Sequence, residues 1–481
     1  MALVCLIISA IFVYFFSYST SPWVLRYFGG DSAQFQTIGK AWVSGKIPYR
    51  DMFDHKGPVI FFIDMLGYRI TGDAVGIMII QIVFLSVSCW FLYRIIRQAA
   101  GDRRHTIIPL LLILIVLERV YGGGNYTEEY CLPFICMSLY FQANYFTMLD
   151  NDRTADRRHH PLWALIYGLS FGVCAMSKLT NGVSICTGVL IIFLVLAADG
   201  QWGNILKNAL GFLAGLAVAV VPFAVYFAAN GSFFEFIYAT FLYNFEYQQH
   251  MSSWLFSGTT PHVYFLRFLI WGFPFYTVFV TAFLAGRGKR KLIASYCVLT
   301  GLLEAYLYLS GALYSQYYLI AVPQMALLFH ELLLLKTGQR TRNVIKALLI
   351  CGICAFCCLR AVPLLRIHDR YRQRSEVYET LLDEIPEDER DSFVAWGNNE
   401  LKEVYLLYDR MPCYKYYAIQ PWHAGFSERI KEDIYNTFQS GDARWILADT
   451  KSTGMIRDIL DTDYEKVDSA GDYALYRRRR E

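Results

Sequence analysis

Charge is scarce in this chain. Only 18% of its 481 residues are Asp, Glu, Lys or Arg, against about a quarter in an ordinary soluble domain. The deficit is uneven, because about half of the charges lie after Pro363. The first three quarters are therefore depleted further, as lipid-facing sequence must be. The net charge is only +3, and without a basic face it gives no footing for nucleic acid. No internal repeat and no low-complexity linker is present, so the inverted-repeat signature of many transporters is missing. The first apolar run, Ala2 to Tyr18, has no basic n-region and no small-residue cleavage site. It reads as a spanning helix and not as a signal peptide. Cysteine occurs twelve times but not as a disulfide framework. Cys89, Cys136, Cys174, Cys186, Cys351, Cys354, Cys357 and Cys358 sit inside apolar runs, where they act as small hydrophobes. Cys354 and Cys357 have metal-type spacing but no polar partner.

Apolar runs are abundant. Stretches near the ~20 residues needed to cross a bilayer occur at 2–18, 74–96, 105–121, 128–147, 160–177, 181–198, 205–229, 263–286, 291–310, 314–335 and 343–363. A shorter run, Pro58 to Ile70, carries Asp64 and Arg69 and reads as an interfacial helix. These runs predict a polytopic α-helical membrane protein with about eleven spans. Alternate loops support the count by the positive-inside rule. One set carries Arg94, Arg97, Arg103 and Arg104, then Arg153, Arg157 and Arg158, then Arg287 to Lys291, then Lys336 to Lys346. The opposite set includes the loop 230–262, which has no Lys or Arg. The N-terminus is therefore expected on the cytoplasmic side of the cell membrane. The loops 19–73, 122–127 and 230–262 and the tail are expected outside. The 35 Tyr and 35 Phe suit interfacial belts and the lining of a cavity.

From about residue 364 the chain changes solvent class. Phe393 to Gly397, Arg444 to Asp449 and Tyr473 to Tyr476 read as strands, and 425–438 and 453–460 as helices. This pattern predicts a small C-terminal α/β domain, 364–481, behind a membrane domain, 1–363.

Polar residues gather on the outer side in three places. The first is the loop after the first helix, with Asp31, then Tyr49, Asp51, Asp54, His55, Lys56, Gly57 and Pro58. The second is Tyr121-Gly-Gly-Gly-Asn125-Tyr-Thr-Glu128-Glu129. The third is Ser177-Lys178-Leu-Thr-Asn181. Ionisable groups at membrane depth are costly and usually functional. Structural readings compete: Asp31 as a helix cap, Lys56 and Lys178 as interfacial anchors, one of the two glutamates as a cap. Asp51, Asp54 and His55 suit a divalent cation in residue type, and equally suit a solvated loop. Glu304, inside a span, either faces a cavity or pairs with a neighbouring helix.

Read together, these motifs resemble the GT-C glycosyltransferases, in the bacterial family-39-like branch near protein mannosyltransferases and aminoarabinose transferases. The matching stretches are Asp31, Gly45-Lys-Ile-Pro48-Tyr49-Arg-Asp51 and Lys56-Gly57-Pro58. Glu128-Glu129, Lys178, Tyr314-Ser-Gln316-Tyr317-Tyr318 with Pro323, and Trp396-Gly-Asn398 follow in order; Gln316 stands where His is common. The resemblance implies a GT-C-like fold and transfer of a sugar from a polyprenyl-phosphate donor to a glycan, lipid or protein hydroxyl. It implies Asp31 as general base, Lys56 on the donor phosphate and Glu128 or Glu129 beside the oxocarbenium-like transition state. Tyr49, Asp51, His55, Lys178, Tyr314, Gln316 and Tyr317 would line the substrate site. The competing expectations are a transporter or flippase of lipid-linked substrates and a membrane scaffold displaying the tail.

Overall fold

The computed structural model describes residues 1–23, 27, 29–100, 104–152, 154–246, 272–310, 314–334, 351, 369, 371–397, 399–440 and 442–479. Helices dominate. The bundle is built from α1 (Ala2–Phe16), α4 (Ala74–Ala99), α5 (Arg104–Tyr121), α6 (Thr127–Asn151), α7 (Pro161–Ala175), α8 (Val183–Ala198), α9 (Trp202–Ala229), α11 (Phe273–Arg287) and α12 (Lys291–Ser310). A 3₁₀ stretch, Ser315–Gln324, runs into α13 (Met325–Leu334). Among the described residues each expected span except the last falls on a helix, with 263–271 of the span 263–286 outside them. Of 343–363 only Cys351 lies within the described residues. Four of these helical stretches are long and apolar enough to cross a membrane by themselves: Ala74–Ala99, Leu179–Ala198, Trp202–Ala229 and Ser315–Leu334. The apolar bundle, with many large hydrophobic side chains exposed on its outside, makes the chain an integral membrane protein.

Two further helices lie at one end of the bundle. α2 (Gly30–Val43) packs along α3 (Pro58–Thr71), and α3 along α4. Pro58 at the first position starts α3 where its missing N–H costs nothing, and Gly72, left-handed, ends it. The Asp73 carboxylate then accepts from the Val75 amide at 2.9 Å and opens α4. The same end carries α10 (Phe233–Ile237).

The tail is a four-stranded sheet of order β1-β2-β4-β3, with β1 (Phe393–Trp396), β2 (Trp445–Asp449), β3 (Tyr464–Ala470) and β4 (Tyr473–Arg478). β1 and β2 are parallel and the other pairs antiparallel. β1 and β2 are buried throughout, as expected of strands flanked on both faces. The helix Glu428–Ser440 lays Ile430, Ile434 and Phe438 on the sheet, one turn apart. The tail's hydrophobic core is continuous with that of the α2–α3 layer, running from Phe35 and Phe53 to Tyr405 and Tyr417. The bundle has a separate core. The tail thus rests on the α2–α3 layer.

Candidate active site

The chain between α2 and α3 is held against the bundle by its backbone. The Gly57 amide donates to the Ser177 carbonyl at 3.0 Å, and the Val59 amide to the Met176 carbonyl at 3.1 Å. A Cβ at Gly57 would lie 2.0 Å from the Met176 oxygen, so only glycine allows this approach. The contact brings Lys56 to the end of α7, beside Lys178.

Lys56 is buried in a set of charges. Its ammonium donates to His55 Nε2 at 2.7 Å, and its backbone amide to Asp54 Oδ1 at 2.8 Å. Burial pulls the Lys56 pKa below the usual lysine value, Lys178 adds to that shift, and Asp54, Asp31 and Glu128 oppose it. Burial also holds His55 well below the usual imidazole value, reinforced by Lys56, so the ring stays neutral and can accept from the ammonium.

Glu128, Lys178 and Tyr317 form a second group. Lys178 Nζ lies 2.9 Å from Glu128 Oε1 and 3.1 Å from the centre of the Tyr317 ring, a cation over an aromatic face. Thr127 donates to the other Glu128 oxygen at 2.9 Å. Tyr317 in turn lies within range of the Glu128 and Asp31 charges. Asp31 occupies the first turn of α2 and is partly open to solvent, its side chain 38% exposed. An anion is favoured at that helix end. Asp31, Lys56, Glu128 and Lys178, drawn from three distant stretches of sequence, therefore share one end of the bundle.

Other expected site residues have different surroundings. Glu129 takes three donors: the Tyr121 hydroxyl, Gln81 Nε2 at 3.0 Å and the Asn125 amide at 2.7 Å. It reaches back from the third position of α6 and braces the Gly122-Gly123-Gly124 turn, where every φ is positive. Asn125 ties this turn to α2 and α3, donating to Ser32 Oγ at 3.0 Å and Asp64 Oδ2 at 3.1 Å. Tyr49 is buried among Phe61, Phe227 and Phe236, and its hydroxyl donates to the Lys56 carbonyl at 2.8 Å. It shapes the loop from beneath. Asp51 accepts from Arg50 Nε at 2.8 Å and the Ile47 amide at 2.8 Å, closing the turn locally. Among the described residues no three His, Cys, Asp or Glu side chains group as a cation site. Tyr314 is exposed and stacks edge-on against Tyr317, with Gln316 partly exposed beside it. Glu304 accepts from Gln324 at 3.3 Å inside the bundle, which settles its choice in favour of a neighbouring stretch.

The tail adds residues that sequence patterns did not single out. Lys402 Nζ lies 2.6 Å from Gln34 Oε1 and 3.4 Å from Asp31 Oδ1. Trp422 stacks near His55, centroids 5.5 Å apart. His423, pushed down to about 3 by burial and by Lys402 and Lys56, packs edge-on to Phe53 at 5.2 Å and shares a 2.8 Å hydrogen bond with Tyr243. No motif could flag them, because each acts across hundreds of residues of sequence.

A family model covers residues 1–346, which include every bundle helix described above. The chain belongs to the family described as the competence-induced protein Ccs4 N-terminal domain. No curated protein matches it. Among solved structures it is similar to ArnT from Cupriavidus metallidurans bound to undecaprenyl phosphate, with a TM-score of 0.62 at 13% identity over 98% of this chain and 97% of that one. It is also similar to the Archaeoglobus fulgidus oligosaccharyltransferase in its apo form, with a TM-score of 0.52 at 14% identity over 94% of this chain and 70% of that one. At these identities the likeness is one of fold, and it bears out the resemblance in fold expected from this Ccs4 family member's motifs.

Proposed function

We propose that the chain is a membrane glycosyltransferase that moves a sugar from a polyprenyl-phosphate donor to an acceptor hydroxyl. The supporting observation is the meeting of Asp31, Lys56, Glu128 and Lys178 at one end of a bundle shaped like ArnT, a protein whose solved structure holds undecaprenyl phosphate. In this reading residues 1–363 carry the site and 364–481 cover it, on the extracytoplasmic face of the cell membrane.

Chemistry follows from the residue types. An acceptor hydroxyl has a pKa far above 7, so its proton must leave as it attacks. Asp31, partly open to solvent, takes that proton. The new bond forms from the acceptor oxygen to the anomeric carbon. The bond from that carbon to the phosphate oxygen breaks, and its electron pair leaves with the polyprenyl phosphate. Attack opposite the leaving group inverts the anomeric centre. The departing phosphate gains charge, which Lys56 stabilises more in the transition state than in the ground state. Lys178 is held by Glu128 at the same end and adds a second cation to the phosphate side. Glu128 supplies the anion beside the oxocarbenium-like carbon.

A panel of polyprenyl-phosphate sugars offered to the purified full chain with candidate acceptors tests this reading. Release of free polyprenyl phosphate that depends on Asp31 is the expected result. Movement of an intact lipid-linked donor across a bilayer, with no release, would establish the flippase alternative instead.

A further inference from the structure

Lys402 is 1% exposed, yet it belongs to the tail and not to the bundle. A buried ammonium is costly unless it is paired. Its partners are both on the first turns of α2: Gln34 Oε1 at 2.6 Å and Asp31 Oδ1 at 3.4 Å. The next residue grips the same helix end. Glu403, also buried, accepts from the Gly29 amide at 3.0 Å and is itself held by Arg374 at 2.6 Å. The Gly29 amide lies at the positive end of the α2 dipole, where a carboxylate is favoured. Two consecutive tail residues therefore clamp the turn that carries Asp31, one by charge on its side chain and one by its backbone. The Tyr417 hydroxyl adds a third tie, donating to the Gln34 carbonyl at 2.8 Å.

We propose that Lys402 is the positioning residue for the Asp31 carboxylate, so that the tail completes the catalytic site. The proposal rests on the reading of Asp31 as the base. An ammonium at this distance orients the carboxylate and favours the ionised form. Other described groups near Asp31 act in both directions. Lys56 also favours ionisation and Asp54 opposes it, both from the loop before α3. Tyr126 before α6 and Tyr317 of the 3₁₀ stretch are within range of the Asp31 charge and carry none of their own at neutral pH. Among these described groups Lys402 is the cation in direct ion-pair contact with Asp31.

The test compares the parent with Lys402→Gln, Lys402→Met and Lys402→Arg in the full chain, by turnover of the donor across pH. Met keeps the length of the stem and leaves no buried amide to satisfy, so it guards against a folding failure of Gln. Gln and Met should lower kcat about 10–100-fold, as expected for loss of alignment, with little change in KM for the donor. They should also move the acid limb of the kcat profile to higher pH by about one unit, a modest shift because Asp31 is partly solvated. Arg should return the limb toward the parent position. An acid limb that stays in place in both Gln and Met overturns the proposal, as does a loss that Arg repairs no better than Gln. If the parent turns over no donor of the panel, the glycosyltransferase reading fails separately. The proposal is then decided by the infrared carboxylate band that Asp31→Asn removes. A higher titration midpoint for that band in Lys402→Met supports the clamp, and an unchanged midpoint overturns it.

Discussion

Asp31 and Lys56 lie close enough to feel each other's charge, yet their surroundings suit them to opposite work. Asp31 is partly open to solvent, so a polar acceptor can reach it. Lys56 is buried and its ammonium is held by a neutral imidazole. A neutral hydrogen-bond partner adds no counter-charge of its own, so the ammonium can still attract an incoming phosphate. Asp31→Asn keeps shape and most hydrogen bonds but cannot take a proton. It should lower turnover about 10²–10⁴-fold while the protein still folds and binds donor. Lys56→Ala should weaken donor binding and turnover together, and Lys56→Arg should recover part of both, because charge returns in altered geometry. Turnover per folded molecule beside donor binding checks each variant. Near-parent turnover in Asp31→Asn would pass the role of base to another carboxylate. The adjacent glutamates should separate as well. Glu129 faces three donors with an acceptor-only carboxylate. Glu129→Gln sets an amide N–H₂ against them and should cost about 1–3 kcal/mol of stability. Glu128→Gln should spare stability and lower turnover. Melting temperature and activity, measured on both variants, distinguish a brace from a site residue.

At the scale of elements, the sequence was most legible where length alone decides. An apolar run long enough to span must be helical, since lipid offers no partner for open backbone groups. Where the residues are described, the expected spans accordingly fall on observed helices, and 291–310 matches Lys291–Ser310 to the residue. In the tail, β1, β2 and β4 were readable from short apolar runs. β3 was not, because Tyr464–Ala470 is an edge strand exposed along most of its length and lacks the alternation that marks a half-buried one. The 3₁₀ course of Ser315–Gln324 was equally hidden, since its composition suits a helix of either kind. The Lys-Gly-Pro stretch was legible as a motif, and the fold supplies its reason: Lys56 presents the charge, Gly57 permits contact with Met176, and Pro58 starts α3. Gly57→Ala forces a methyl group onto a backbone carbonyl. It should cost about 1–3 kcal/mol of stability and displace Lys56 from the Lys178 end of α7. A Gly57→Ala protein with parent melting temperature and parent donor affinity would show that the close approach is dispensable.

The whole molecule has two chemically different ends. At one, the tail meets α2 through Lys402, the loop before α3 through the 3.0 Å bond from the Phe53 amide to the Lys415 carbonyl, and the stretch after α10 through Tyr243 and His423. These contacts put the loop 19–73, residues 233–246 and the tail on one side. At the other end lie Arg157 paired with Asp199, Asp150 accepting from the Leu292 amide, and Arg290 bound to Glu331. That end holds the arginine-rich loops, so the positive-inside rule predicts that it faces the cytoplasm. Single cysteines test the assignment in a background lacking the exposed Cys186, Cys351 and Cys413. Exposed positions suit the purpose: Ser44 and Glu432 at the tail end, Arg158 and Arg287 at the other. A membrane-impermeant thiol reagent applied to intact cells should label cysteines at Ser44 and Glu432. It should reach those at Arg158 and Arg287 only after the membrane is opened. The reverse pattern would turn the protein over and place the acceptor in the cytoplasm. Labelling of Ser44 and Glu432 from opposite sides would contradict the packing of the tail on α2, and with it the assembly of Asp31 and Lys402 into one site.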